Sequence, residues 1–337
     1  MIAGELRVLI VGCGAHMRTT LLPAMTQAGI LPAAACDPDP ARAGAVARAY
    51  GVPAFAALDD ALAATTAQAA VIAVSREKNG ELVRACVERG LPAFVEKPPA
   101  ASAAEANDIA ALAESRHVLV QVGFMKRHAP AYARARGIAA SPTFGGARLL
   151  ALEAASGPYS SLEAFLYDYC IHYLDLALHL LGPVAGVHAR CPGGEKAPGP
   201  PAVQVDLAFA SGAAGALTFC AGAGWHEPSE RLTLYGAGAR VAVENVVSCR
   251  FWRGPAPEKP AAGDDACLQW EPNFHTPQLE TGSLALQGYL GEMRQFRLSL
   301  ATGFPPPATL RAAARTMELV EATRDAASKK GVAPGNE

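Results

Sequence analysis

"VLIVGCGAHMRTTLLPAM", residues 8–25, opens with a short apolar run, passes through Gly12 and Gly14, and continues into a helical segment. Glycine at a strand-to-helix turn allows a tight backbone and a close approach to a pyrophosphate, the context a dinucleotide-binding loop requires. Met17 stands where a third glycine is usual, so helix and strand are expected slightly further apart. Pro23 implies a late helix start or a kink. A glycine turn alone is weak evidence, and Asp37 strengthens it. It ends the next apolar run, "LPAAACD", where a carboxylate accepts hydrogen bonds from adenosine ribose hydroxyls and repels a 2′-phosphate. That favours NAD, with NADP left open; the competing use of Asp37 is an Asp-Pro turn.

Working outward, "RVLIVG", "LPAAACD", "AAVIAVS", "PAFVEKP" and "VLVQVGF" alternate with alanine-rich helical segments over the first 120 or so residues. The rhythm predicts βαβ units, and continuous rather than alternating hydrophobicity predicts parallel strands covered on both faces. Beyond residue 123 the pattern becomes one long helix, roughly 161–181, and then the runs "AVQVDLAFA", "AAGALTFCA", "RLTLYG", "ARVAVEN" and "CRFWRG". Their close spacing predicts a largely antiparallel sheet against that helix. Three Pro- and Gly-rich loops, "CPGGEKAPGPP", "GPAPEKPAAGDD" and "WEPNFHTPQLETGS", are expected at the surface, and "TLRAAARTMELVEATRDAASKK" reads as a closing amphipathic helix. The fold class is α/β: an N-terminal Rossmann domain with a parallel sheet, plus a C-terminal α/β domain with a largely antiparallel open sheet.

The totals agree with small-molecule chemistry. With 337 residues, 51% apolar and 18% charged, the chain has material for two cores. A net charge of −2 supplies no field for nucleic acid or an anionic membrane. No apolar segment reaches the length of a membrane span, and the N-terminus lacks the basic start of a signal peptide. The eight cysteines show no zinc-knuckle spacing and suit a reducing cytoplasm.

"YDYCIHYLDLALHLLG", residues 167–182, carries Asp168, His172, Asp175 and His179. At about 100° per residue all four fall within roughly 60° of arc. A helix face of paired Asp and His is the simplest reading, and a metal site the competing one, but no further donors stand out elsewhere, so no metal is expected. "AFVEKPPA" places Glu96 and Lys97 at a strand end, the edge where open parallel sheets bind ligands, with Pro98 and Pro99 directing the backbone.

With these motifs in order, the chain resembles the Gfo/Idh/MocA oxidoreductases. The likeness covers the glycine loop, "EKPPA" at 96–100, "VGFMKRHAPAY" at 122–132, the Asp168–His172 helix and "GYLGEMRQF" at 288–296. It implies hydride transfer between NAD(P) and a carbon of a sugar, inositol or related polyol, and a homodimer or homotetramer. Lys97 matches the family lysine, His172 the catalytic histidine and Asp168 the acid before it. The cofactor residues are expected to be Gly12, Gly14, Ala15, His16, Met17, Asp37, Ser75, Asn79, Glu96 and Lys97. Arg127, Tyr159 and Tyr169 are the substrate candidates, with Lys126, Tyr167, Trp225, His226 and His275 behind them; Lys126 and Arg127 also read as surface charges. The chain departs from the family at "VSREKN", where a Pro-Asn pair and a histidine are usual, and at Cys170, where glycine is usual. The segments are 1–122 for the dinucleotide domain, 123–305 for the substrate and oligomerisation domain, and 306–337 for a helix packing back on the first domain, with a tail. Reduction of a C=N or other non-sugar double bond, or an NAD-binding regulator without turnover, are the alternatives.

Overall fold

A computed structural model describes residues 5–194, 199–223, 228–253, 267–275 and 278–328. By contacts the chain forms two units: 1–128 with 282–317, and 129–281 with 318–337.

In the first unit six strands form one parallel sheet: β1 (Leu6–Val11), β2 (Ile30–Cys36), β3 (Ala54–Phe55), β4 (Ala69–Ile72), β5 (Ala93–Glu96) and β6 (Val120–Gly123). Their order is β3-β2-β1-β4-β5-β6, so the winding reverses between β1 and β4, and a crevice opens there above the carboxyl ends of the strands. Val8, Leu9, Ile10, Val71 and Val95 have no accessible surface, as strands covered on both faces require. Helical segments link them: α1 (Leu22–Gln27), α2 (Pro40–Tyr50), α3 (Leu58–Ala64), α4 (Arg76–Glu88) and α5 (Ala103–Ser115). Asp39 caps α2 by accepting the Ala41 N–H at 2.8 Å, with Pro40 in the first turn, where no amide donor is needed.

The second unit begins with α6 (Pro130–Ala139) and β7 (Leu149–Ala155). The helical run 162–181 follows as α7 (Leu162–Phe165), a π turn (Leu166–Cys170) and α8 (Ile171–Leu181). Strands β8 (Val184–Arg190), β9 (Ala202–Phe209), β10 (Ala214–Cys220), β11 (Ser229–Tyr235), β12 (Ala239–Glu244), β13 (Ser248–Arg253) and β14 (Cys267–Trp270) complete a sheet ordered β14-β13-β12-β11-β7-β10-β9-β8. Every pairing is antiparallel except β7 with β10. Leu150, Leu152, Val203, Val205, Leu217, Phe219, Leu232 and Leu234 are buried, while their alternate neighbours are largely exposed, the pattern of a sheet covered on one face.

Three later helices are α9 (Ser283–Leu286), α10 (Tyr289–Thr302) and α11 (Leu310–Ser328). Linear segmentation assigned residues up to 305 to the second domain; by contacts 282–317 join the first unit. The cause is a stripe on α10, Leu290, Met293 and Phe296, which shares a core with Met17, Leu21, Met25 and Phe94. Phe94 and Phe296 meet edge to face with centroids 5.9 Å apart. Among the described residues, no helix is long and apolar enough to cross a membrane.

Candidate active site

Gly12 has φ +85°, and a Cβ there would overlap the Ala73 carbonyl oxygen at the end of β4. Only glycine suits that position. Gly14 differs: a Cβ there would have no neighbour within 4 Å, so its side of the turn is open. The chain then enters a π turn, Met17–Leu21, in which the Leu22 N–H reaches the Met17 carbonyl, before α1 starts with Pro23 in its first turn. Helical backbone begins already at Ala15, so Pro23 does not delay the start; it follows the π turn inside a continuous helical run. The Met17 side chain is buried in the core between helix and sheet, so it presents only backbone to the turn, whereas Ala15 and His16 are exposed.

Asp37 follows β2 and is buried. Its Oδ2 accepts the Cys13 N–H at 2.7 Å, and its Oδ1 accepts the Asp39 N–H at 2.9 Å. The Asp-Pro turn is therefore real, and the same carboxylate is tied to the glycine loop. Each oxygen retains acceptor capacity for a ribose hydroxyl. Open space at Gly14, a glycine-only turn at Gly12 and a fixed carboxylate at Asp37 together fit a dinucleotide. Beside them, burial pushes the Cys13 thiol up to about 12 and the Cys36 thiol up to about 11, with the Asp37 charge adding to each. Neither is a nucleophile near neutral pH.

At the end of β5, Glu96 is buried and Lys97 half-buried. Glu96 Oε1 lies 3.2 Å from His16 Nε2, and Glu96 Oε2 accepts the Lys97 N–H at 3.3 Å. The Lys97–Pro98 peptide is cis. Asn79 on α4 is fully buried; its amide donates to the carbonyls of Glu96 at 3.2 Å and Pro98 at 2.7 Å. Its amide nitrogen thus holds the lysine turn, while its Oδ1 has no hydrogen-bond partner. Ser75, at the start of α4, is exposed; its hydroxyl caps no backbone N–H of the helix and instead meets the Glu77 carboxylate. Next to Glu96, Glu292 of α10 is fully buried, and neither carboxyl oxygen has a hydrogen-bond partner. Burial first, then the Glu96 charge, raises its carboxyl well above the usual range and keeps it protonated. The same two causes head those that raise the Tyr289 hydroxyl.

Lys126 and Arg127 are buried, which removes the surface-charge reading of both. Arg127 donates to the Pro307 carbonyl at 2.6 Å and lies over the Phe124 ring. In the next residue, burial followed by the Arg127 charge lowers the His128 imidazole to about 4, so it is neutral.

In the second unit Asp168 is exposed, His172 half-buried and Asp175 fully buried, so the sequence stripe is not one wet face. Asp168 lies inside the π turn, where the wider turn departs from 100° per residue, and such turns recur at functional sites. His179 is half-buried at the far end, its carbonyl accepting from Arg136 at 3.4 Å. Tyr159 lies near Asp168; burial first, and also the Asp168 charge, raises its hydroxyl. Tyr169 is committed to structure: its ring stacks on Phe165 at 5.5 Å, and its hydroxyl donates to the Ala155 carbonyl at 3.1 Å. Tyr167 is buried and His275 exposed, with its N–H on Asn273. Trp225 and His226 lie outside the described residues.

Glu230 had no place among the sequence candidates. Its carboxylate accepts from the Tyr132 hydroxyl of α6 and, at 2.6 Å, from the Tyr173 hydroxyl of α8. Tyr173 is the residue after His172. The signal was present: Glu230, Leu232 and Leu234 alternate on the buried face of β11, and a glutamate in that register needs partners. Beside it a groove of about 410 Å³ runs past Glu153 and Ala155 of β7, Cys220 of β10 and Asn245 after β12. Among the described residues, no three His, Cys, Asp or Glu side chains are grouped to hold a metal ion.

Residues 6–124 match the oxidoreductase family's NAD-binding Rossmann fold, and residues 163–334 match the oxidoreductase family's C-terminal alpha/beta domain. An inositol 2-dehydrogenase of Leifsonia xyli subsp. xyli is 34% identical over 197 residues, 56% of this chain and 57% of that protein. The chain spans about half the length of the curated relatives it matches. In fold, a dehydrogenase from Chromobacterium violaceum superimposes with a TM-score of 0.85 at 24% identity, over 96% of both chains. An oxidoreductase from Agrobacterium radiobacter, in complex with NAD+, L-tartaric acid and magnesium, gives 0.82 at 20% identity, over 96% of this chain and 97% of that one.

Proposed function

The chain belongs to the Gfo/Idh/MocA oxidoreductase family, and from that premise we propose that it is an NAD(H)-dependent dehydrogenase of a sugar, inositol or related polyol. The observation that carries this reading is the joining of three elements in the first unit. The glycine turn, the Asp37 carboxylate and the lysine turn are linked by the Cys13–Asp37 and His16–Glu96 contacts. A bound nicotinamide dinucleotide supplies the hydride acceptor or donor. Gly12, Gly14, Ala15 and His16 would line its diphosphate, and Asp37 its adenosine ribose.

The remaining chemistry is polar. An alcohol carbon gives up hydride only as its hydroxyl proton leaves, so a positioned base is needed. His172 takes that proton on oxidation and returns it on reduction, its imidazole being suited to neutral pH. The Lys97 ammonium stabilises the developing alkoxide, or polarises a carbonyl in the reverse direction. Asp168, one turn before His172, orients the imidazole or holds a neighbouring hydroxyl. The inositol 2-dehydrogenase relatives support a cyclic polyol as substrate. The uncovered sheet face of the second unit, with Leu149 and Tyr235 exposed on it, supports assembly as a homodimer or homotetramer.

Fluorescence titration with NADH and NADPH, followed by NAD+ reduction with myo-inositol and a sugar panel, tests the reading. NADH is expected to bind more tightly than NADPH, and Lys97→Ala and His172→Ala each to lower kcat by roughly 10²–10⁴-fold. Wild-type protein that binds NADH yet oxidises no polyol would overturn the activity, and undiminished turnover in both variants would overturn the residue roles.

A further inference from the structure

His16 stands between two elements that the proposed reaction needs together. It lies two residues beyond Gly14, and its Nε2 is 3.2 Å from Glu96 Oε1. Glu96 Oε2 in turn accepts the Lys97 N–H, so the imidazole touches the carboxylate that braces the lysine turn. The pair is asymmetric in exposure: the Glu96 side chain is 11% accessible, whereas that of His16 is 44% accessible and open to a ligand on the turn.

The other groups around the pair narrow its chemistry. Tyr289 of α10 meets the His16 ring edge-on, with centroids 5.7 Å apart, and its hydroxyl keeps its proton. Glu292, also of α10, is protonated and uncharged beside Glu96. Lys97 follows Glu96 in the turn, and Arg18 lies on the same helical segment as His16. Glu96 is therefore the anion in contact with the imidazole, and a dinucleotide diphosphate on the glycine turn would bring another. Two anions near one imidazole favour its cationic form.

We propose that His16 takes up a proton from solvent when the dinucleotide binds, and thereby couples the diphosphate turn through Glu96 to the position of Lys97. His16 is a cofactor-binding residue in the Proposed function, and this inference rests on that reading; toward Lys97 it is a positioning residue. The proton goes to a ring nitrogen, and no bond to the cofactor forms. Affinity for NADH accordingly falls as pH rises, and a proton held about tenfold more tightly in the complex changes Kd about tenfold across the titration.

Calorimetric titration of the full chain with NADH, at a pH of about 7.5 in PIPES, HEPES and Tris, counts the proton. The observed enthalpy is expected to rise with buffer ionisation enthalpy, with a slope between roughly 0.3 and 1 proton. His16→Gln can still donate to Glu96 but cannot gain charge, so its slope should fall to near zero and its Kd should lose most of its pH dependence. A flat wild-type response, or a His16→Gln slope equal to wild type, would overturn the inference while leaving NADH binding intact. Failure of wild type to bind NADH would overturn the cofactor reading itself, and this inference with it.

Discussion

Around Gly12 the first unit holds its functional groups with backbone, and around Tyr173 the second unit holds its groups with side chains. The glycine turn, the end of β2 and the end of β5 converge because a parallel sheet brings its strand ends to one edge; the Cys13 N–H ties the glycine turn to Asp37, and Asn79 ties α4 to the backbone carbonyls of the lysine turn. The helix bearing Asp168 and His172 is instead tied to β11 and α6 by hydroxyl groups on one half-buried carboxylate, Glu230. A backbone-built site tolerates side-chain change but not a Cβ in the wrong place. A side-chain-built one depends on partners far apart in sequence.

The sharpest way to break the first arrangement is Gly12→Ala. The positive φ and the overlap with the Ala73 carbonyl should together cost about 3 kcal/mol and abolish NADH binding. Gly14→Ala meets open space and should leave denaturant stability nearly unchanged, while weakening NADH in a fluorescence titration. Equal losses of stability in both would show that the backbone account is wrong.

In the second arrangement, Glu230→Ala takes the carboxylate from two buried phenol hydroxyls, leaving Tyr173 its bond to the Tyr169 hydroxyl, and should cost roughly 1–3 kcal/mol by urea unfolding, with Glu230→Gln costing less. Should Glu230→Ala unfold like wild type, the helix would be held by apolar packing alone.

A smaller effect sharpens the contrast from within the first unit. Glu292 is held protonated in the folded state and ionises in the unfolded chain above the ordinary carboxylate range. A group whose folded value is raised contributes stability below its unfolded value and loses it as pH rises toward the folded one. Glu292→Gln should therefore raise Tm more at about pH 8 than at about pH 5. A gain that is the same at both values would mean the carboxyl is not protonated in the core.

Much of this molecule was legible before any coordinates. The runs at β1, β2, β4, β5 and β6 are continuous and apolar because both faces are covered, and the glycine turn, Asp37 and the lysine turn follow from their ends. Strand β7, "LLALEAA", was not legible: leucine and alanine favour a helix locally, and only pairing with β10 and β11 on either side makes it a strand. The residues of α10 entered the sequence reading only as "GYLGEMRQF", part of the family likeness, with no packing partner assigned. Its partners, Met17 and Phe94, stand some 200 residues or more earlier in the chain.

Local pattern settles what each segment can bury and where the backbone must turn, since periodicity, glycine and proline act over a few residues. On that basis the dinucleotide turn, the lysine at a strand end and the acid and imidazole on one helix were specified by residue type and spacing. Folding alone chose the side-chain partners: Asn79 for the lysine turn, Glu230 for Tyr173 and Tyr132, Glu96 for His16. Those choices depend on three-dimensional proximity between residues up to about a hundred positions apart, which no short-range pattern encodes.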